Sequence, residues 1–241
     1  MSIEEFSTEF DVLLNSYPLD GADKLICDEY EKSVYLTEAQ RNLVISYFTN
    51  NAGGTFEKTE EIKKYLVSLV KTYTKETSTT GSGISPDSVF FDLPSDYMFI
   101  IYEAAVLTDD ALGCLSPYTA NIIPITHDYY YKSSNNPFKA PNYRRVFRID
   151  SYESKVELVS KYHISSYFCR YIKNMTPIIL TPLDGGLSIE GYNQATTCLL
   201  HPALHRAILE LAVSTAFAAK VKLHQDTKIR YASGYPAAMS N

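Results

Sequence analysis

From Pro202 to about Lys222 the chain reads as one helix, and that helix restricts the fold more than any other segment. Proline suits the first helical turn, where its missing N–H would have no partner anyway. Of residues 203–221, thirteen are apolar: Ala203, Leu204, Ala207, Ile208, Leu209, Leu211, Ala212, Val213, Ala216, Phe217, Ala218, Ala219 and Val221. A helix apolar nearly all round needs partners on more than one side, and its alanines permit close approach. Two settings satisfy this: a central core helix, or a helix shared between neighbouring subunits.

The N-terminal third supplies helices for such a partner set. Ser2 and Glu5 have the spacing of a capping box, and Ile3, Phe6, Phe10, Leu13 and Leu14 recur at helical spacing until Pro18 and Gly21. Thr37 with Gln40 repeats the cap signal ahead of Leu43, Val44, Tyr47 and Phe48, and residues 50–54 (NNAGG) break that second helix. A third helix is expected from Ile62, Leu66, Leu69, Val70 and Tyr73, with Glu60 and Lys64 paired one turn apart on its other face.

Residues 74–88 (TKETSTTGSGISPDS) have no apolar periodicity and predict a long mobile loop or hinge. The character of the chain then changes. Residues 89–93, 99–107, 121–125, 145–149, 155–159, 167–172 and 178–180 are short β-favouring runs between Pro, Gly, Asn and Asp turns. Residues 145–149 and 156–159, joined through SYES, predict a hairpin, and the set as a whole predicts an antiparallel sheet or small barrel. The fold class is therefore α+β. Residues 1–75 form an N-terminal helical region, 89–200 a β-rich region, and 201–241 a C-terminal helix and extended tail packing on the helical region, all in one integrated domain.

A length of 241 residues with 45% hydrophobic and 21% charged residues suits one or two domains with a sizeable core and excludes general disorder. No run of 18 apolar residues occurs and residues 1–15 mix charge with apolar side chains, so neither a membrane span nor a signal peptide is expected. Four cysteines, at 27, 114, 169 and 198, have no CxxC pairing. They read as reduced thiols, in a cytoplasm or inside a particle.

Charge is unevenly placed. Residues 1–40 carry ten acids against Lys24 and Lys32, a net of −8. Residues 139–173 carry eight bases against Asp150, Glu153 and Glu157, a net of +5. Solvated faces of opposite sign explain this, and so does head-to-tail complementarity between identical subunits. The stretch from Thr126 to Asp150, THDYYYKSSNNPFKAPNYRRVFRID, concentrates aromatics, prolines and arginines with no catalytic constellation. It reads as a surface made for contact, with Pro137, Phe138, Tyr143, Arg144 and Arg145 as candidate interface residues. Tyr231 and Tyr235 would anchor the polar tail on another chain.

No chemistry competes with that reading. Cys198, His201 and His205 have the spacing C-x2-H-x3-H, but position 202 is proline rather than a general base and no fourth ligand follows. Packed side chains are expected there, with no bound metal. Gly81-Ser82-Gly83 lacks the Lys-Ser/Thr of a phosphate loop, no GxSxG elbow occurs, and the acids form no hydrolytic pair. No enzyme activity, catalytic residue or cofactor is expected. The group Arg144, Arg145 and Arg148 could touch phosphates, so a nucleic-acid-binding protein using residues 139–173 is the alternative.

The order of motifs then carries a resemblance across nearly the whole chain. Residues 28–48, 56–71, 89–106, 124–149, 167–180 and 198–213 are similar to ring proteins of the neck and tail of crAss-like tailed phages infecting Bacteroidetes. LPSDY, PITHDYYYKSSNNPF and LHPALHRAILELAV are the most specific parts. Where such proteins usually have Asn before the helix-opening proline, this chain has His201, which weakens the N-cap. The resemblance implies a virion structural subunit that stacks as a ring below the portal, usually with twelve copies, and lines the DNA channel. Its implied partners are copies of itself, neighbouring portal, ring or tail proteins, and genomic DNA passing without specific binding, with no membrane. An acidic residue 1–40 region would then face the lumen or a basic neighbouring ring. Ring interfaces would bury more than ~2,000 Å² per subunit pair.

Overall fold

The structure is a computed structural model that describes residues 1–17, 25–50, 60–79, 81–150 and 154–232, with the side chains of 49–50, 61–62 and 222–232 excepted. Several expectations therefore lie outside the described residues: the breaks at Pro18, Gly21 and 51–54, most of the SYES turn, the tail beyond 232 with Tyr235, and the Tyr231 side chain. The chain divides into two compact units, Met1–Ser68 with Met175–Asn241, and Leu69–Asn174.

The first unit is helical. In α1 (Ile3–Leu14) both capping-box bonds form: Ser2 Oγ accepts from Glu5 N at 3.2 Å and Glu5 Oε2 accepts from Ser2 N at 2.7 Å. Phe6, Phe10 and Leu14 are its buried face. α2 (Glu29–Asn50) starts eight residues before Thr37. Its cap is Asp28, which accepts from Glu31 N at 2.7 Å while Glu31 Oε2 accepts from Asp28 N. Thr37 and Gln40 lie mid-helix and are not a cap. With Ser33 they form a buried polar stripe that grips an extended segment: Thr37 Oγ1 and Ser33 Oγ accept from Ile178 N and Leu180 N, both at 3.0 Å, and Gln40 Nε2 donates to Thr176 O. Residues 178–180 are thus not a sheet strand. Ile178 N and O and Leu180 N are bonded by helix side chains, and Ile179 bridges to Thr196.

The third helix is shorter than its apolar spacing predicts. α3 covers Glu60–Leu66, a 3-10 turn follows at Val67–Leu69, and Val70–Lys75 is strand β1. The apolar spacing continues past Leu69, but Val70, Thr72, Tyr73 and Thr74 are β-branched or aromatic and pair with a neighbouring strand. A 3-10 turn at Pro202–Leu204 leads into α5 (His205–Ala232), a helix longer than the sequence pattern marks. Its buried stripe is Leu204, Ile208, Leu209, Ala212, Val213 and Ala216, facing α1 and α2, while Ala203, Ala218 and Ala219 are exposed. Each large aliphatic side chain so removed from water contributes about 1.5–3 kcal/mol.

The second unit is one curled seven-stranded sheet of β1, β2 (Ser88–Asp92), β3 (Tyr97–Leu107), β4 (Tyr118–Pro124), β5 (Arg145–Asp150), β6 (Lys155–Val159) and β7 (Ile164–Lys173), in the order β1-β7-β3-β4-β5-β6-β2. The expected β5–β6 hairpin pairing is present, running from Phe147↔Val159 to Asp150↔Val156. Phe91, Ala105, Leu107, Ala120, Val146, Leu158, Tyr167 and Cys169 form the core on its inner face. The described part of the 74–88 segment is held down: Thr79 pairs with Phe90, and the buried Glu157 carboxylate accepts from Ile84 N at 2.6 Å and from the Ser88 hydroxyl.

Every pairing is antiparallel except β4 with β5, which is parallel. Parallel neighbours need a long crossover where antiparallel ones need only a turn. That crossover is residues 125–144. The parallel pair is therefore the reason a segment of this length separates β4 from β5.

Candidate functional site

The crossover opens with α4 (His127–Ser133), capped by Thr126, whose Oγ1 accepts from Tyr129 N at 3.3 Å. Three successive tyrosines share so short a helix, and the rings of Tyr130 and Tyr131 meet edge-on at 5.6 Å. Tyr130 and Ile125 pack on Phe147, Ile149 and Val159 on the outer face of the sheet, and Tyr129 meets the Phe147 ring edge-on at 6.3 Å. Tyr131 is left 65% exposed.

An arm of residues 134–144 follows, and it is built rigidly. Asn136 Oδ1 accepts from Phe138 N at 3.0 Å, and Asn136 O accepts from Lys139 N and Ala140 N. Arg145 Nη2 donates to Phe138 O and to Ala140 O, both at 2.9 Å. The guanidinium thus ties two carbonyls of the arm to the first residue of β5. Of the expected interface residues, Pro137 and Arg144 are exposed and Phe138 is 91% exposed at the tip. Tyr143 is half-buried edge-on against Tyr118, and the Arg144 guanidinium lies 5.2 Å from its ring centre. Arg145 holds the arm from within, while Lys132, Lys139 and Arg144 stand exposed with no ion pair among the described residues.

Arg148 is also committed to the fold. Arg148 points to the inner face of the sheet, where it pairs with Glu103 and, at 3.1 Å, Asp150. Burial pushes the Glu103 carboxyl up, against the Arg148 charge and the Tyr167 hydroxyl that favour its ionised form. The same burial, with Glu103 alongside, pushes the Tyr167 phenol far up and the Cys169 thiol to about 11. Arg145 and Arg148, bonded within the fold, are thereby drawn away from phosphates.

The acids of residues 1–40 are partly neutralised within the first unit. Lys32, 3% exposed, donates to Asp11 at 2.7 Å, Glu29 at 2.9 Å and Ser7 at 3.1 Å. Lys220 pairs with Glu31, and Arg206 with Glu9 and Glu210. Glu4, Glu5, Asp28 and Glu38 remain exposed.

His201 and His205 each have a place in the fold, and Cys198 is a half-buried free thiol. His205 Nδ1 lies 2.7 Å from the Met1 amino group, its Nε2 3.1 Å from Leu200 O, and its ring 5.4 Å from Phe6. Burial, the nearby amino group and His201 push its pKa down, against the Leu200 carbonyl. His201 does cap the last helical segment, since its Nδ1 accepts from Ala203 N at 3.2 Å. Among the described residues no group of three or more His, Cys, Asp or Glu is placed to hold a metal, and no described helix is long and apolar enough to cross a membrane.

One exposed feature escapes the sequence reading. Residues 181–199 form an ordered loop on the first unit with Leu187, Tyr192 and Leu199 outward. Glu190 and Gly191, both at positive φ, make its tight turn, across which Ile189 and Tyr192 exchange two backbone bonds of 2.9 Å. The turn signal is Glu-Gly between two apolar residues, weaker than the Asn-Gly that marks such turns.

A rigid aromatic arm, unpaired cations around it and no catalytic constellation among the described residues are the equipment of an assembly subunit. Comparison with known proteins agrees: the family model for phage tail ring protein 3/4 matches residues 1–228, and the chain belongs to that family. It is 45% identical to Ring protein 3 of Bacteroides phage crAss001 over 227 residues, covering 92% of this chain and 98% of that protein. It is 34% identical to Ring protein 4/5 of the same phage over 232 residues, covering 91% and 93%.

Proposed function

We propose that the chain forms a closed homomeric ring in the neck or tail of the virion, below the portal, where it joins head to tail around the path of the genome. Twelve copies, contacts with portal, ring or tail proteins, and DNA passing without specific binding complete the reading. The observation that carries it is the arm: an aromatic tip, 91% exposed and braced by Arg145, on a chain of the ring protein family. A monomer gains nothing from fixing a phenylalanine in water. A neighbour that buries it gains both apolar contact and a pre-ordered backbone.

A net charge of −6 suits a channel wall that must not grip DNA. It also counts against the alternative of nucleic-acid binding through residues 139–173, as does the internal use of Arg145 and Arg148. The role is structural rather than catalytic, with no cofactor. Imaging of intact virions tests it: density for this chain should form a ring between portal and tail tip, coaxial with the genome. Density elsewhere in the particle, or none, overturns the assignment.

A further inference from the structure

We propose that the arm of one copy, with Lys132 beside it, seats on the α1 face of the next copy around the ring. This rests on the ring reading above and names the partner of that surface.

Charge is partitioned by unit. Residues 69–174 hold 11 acids and 11 bases, and residues 1–68 with 175–241 hold 17 acids and 11 bases, so the whole net charge of −6 resides in the first unit. The arm and α4 expose Lys132, Lys139 and Arg144 together with Phe138 and Tyr131, with Asp128 the sole acid of residues 126–149. On the first unit the pattern is opposite. The outer stripe of α1 is Glu4, Thr8 and Val12, one turn apart, with Glu5 beside Glu4. Val12 is 65% exposed and Ile26 79% exposed, at the junction where Lys32 ties Asp11 of α1 to Glu29 of α2, and the exposed Asp28 adjoins them.

An exposed aromatic tip on a segment rich in cations thus has its counterpart in a first unit that exposes Val12 and Ile26 on a segment rich in acids. The two surfaces lie on different parts of the same chain. A two-fold contact of arm on arm would bring Lys139 and Arg144 of both copies together, and like charges in an interface are costly. Arm on α1 face is heterologous, and a heterologous contact is what closes into a ring.

The test uses the full chain and follows ring formation against concentration by sedimentation and native mass spectrometry. One variant reverses the arm, Lys139→Glu with Arg144→Glu. A second reverses the face, Glu4→Lys with Thr8→Lys, and leaves the Ser2–Glu5 cap intact. Each alone should raise the concentration needed for assembly by about tenfold or more. A 1:1 mixture should restore rings, because alternate contacts pair native arm with native face and acidic arm with basic face. Phe138→Ala, which removes a side chain that is 91% exposed and leaves the fold unburdened, should also weaken assembly about tenfold. Rings at native concentration from both reversed variants and Phe138→Ala, or a mixture no better than its parts, would overturn the proposal while leaving the ring reading standing. In that case the arm docks on a different protein. A native chain that stays a monomer would remove the ring reading and this proposal with it.

Discussion

Replacing Arg148 with methionine isolates the internal role of a residue that sequence alone places on an exposed basic strand. The side chains of Arg148 and Glu103 are 13% and 6% exposed, and the substitution leaves Glu103 with the Tyr167 hydroxyl as its hydrogen-bond partner. Removing one member of a buried ion pair costs about 3–5 kcal/mol, because the other charge keeps its desolvation penalty. For a unit of this size about 1 kcal/mol moves the midpoint by 4–8 °C, so the loss should be at least about 12 °C. The cost should also depend on pH. Losing the guanidinium raises the folded pKa of Glu103 further, so the folded variant holds a proton that the unfolded chain releases. Glu103 is already held above its ordinary value in the native fold, so the deficit against the native chain grows as pH rises from that native value through the variant's higher one. Urea unfolding at pH 5 and pH 8, with the m-value checked for constancy, measures both effects. The double replacement Glu103→Leu with Arg148→Met should recover most of the loss. A single variant within about 1 kcal/mol of the native chain at pH 8 would refute the buried-pair account, since that is the scale of an exposed pair.

Other expectations concern the arm, the tethered loop and the helical unit. Arg145→Ala should free the Phe138 and Ala140 carbonyls and speed amide exchange at residues 138–140 by about tenfold or more, as expected for losing two hydrogen bonds to a charged donor. Gly83→Ala should destabilise by about 1–3 kcal/mol in a thermal melt, because its Cβ would lie 2.3 Å from Ser88 Cβ and 2.6 Å from Glu157 Oε1. His205 has its pKa pushed down in the fold, so its contribution is intact above the ordinary value near 6.5 and is lost as pH falls below it. The thermal midpoint should drop between pH 7.5 and 5.5, and His205→Gln should flatten that drop.

Legibility followed the physical source of each signal. Local signals survived: the Ser2–Glu5 cap, the α1 stripe, Pro202 before α5, and the β-favouring runs that became β2 to β7. Two failures came from partners that a one-dimensional pattern does not contain. Thr37 and Gln40 have cap spacing, yet their hydrogen bonds go to residues 176 and 178, some 140 positions away. Residues 70–75 continue the apolar spacing of α3, yet β7 recruits them as an edge strand. The exposed crossover segment stood out in its aromatic and proline content. The parallel β4–β5 pairing that projects it did not, and neither did the turn of Arg145 onto the arm's carbonyls or of Arg148 onto Glu103 at the opposite face, because side-chain direction depends on sheet register. The outward loop at 181–199 has few charges and a weak turn signal, so composition gave no reason to mark it.

The central claim is that copies of this chain close into a ring, and the native mass of the purified full chain tests it most directly. The account predicts a single closed species near twelve copies of a 27.2 kDa chain, about 330 kDa, that loses population to smaller species in the Phe138→Ala variant. A lone 27.2 kDa species at micromolar concentration, unchanged by that substitution, would contradict it.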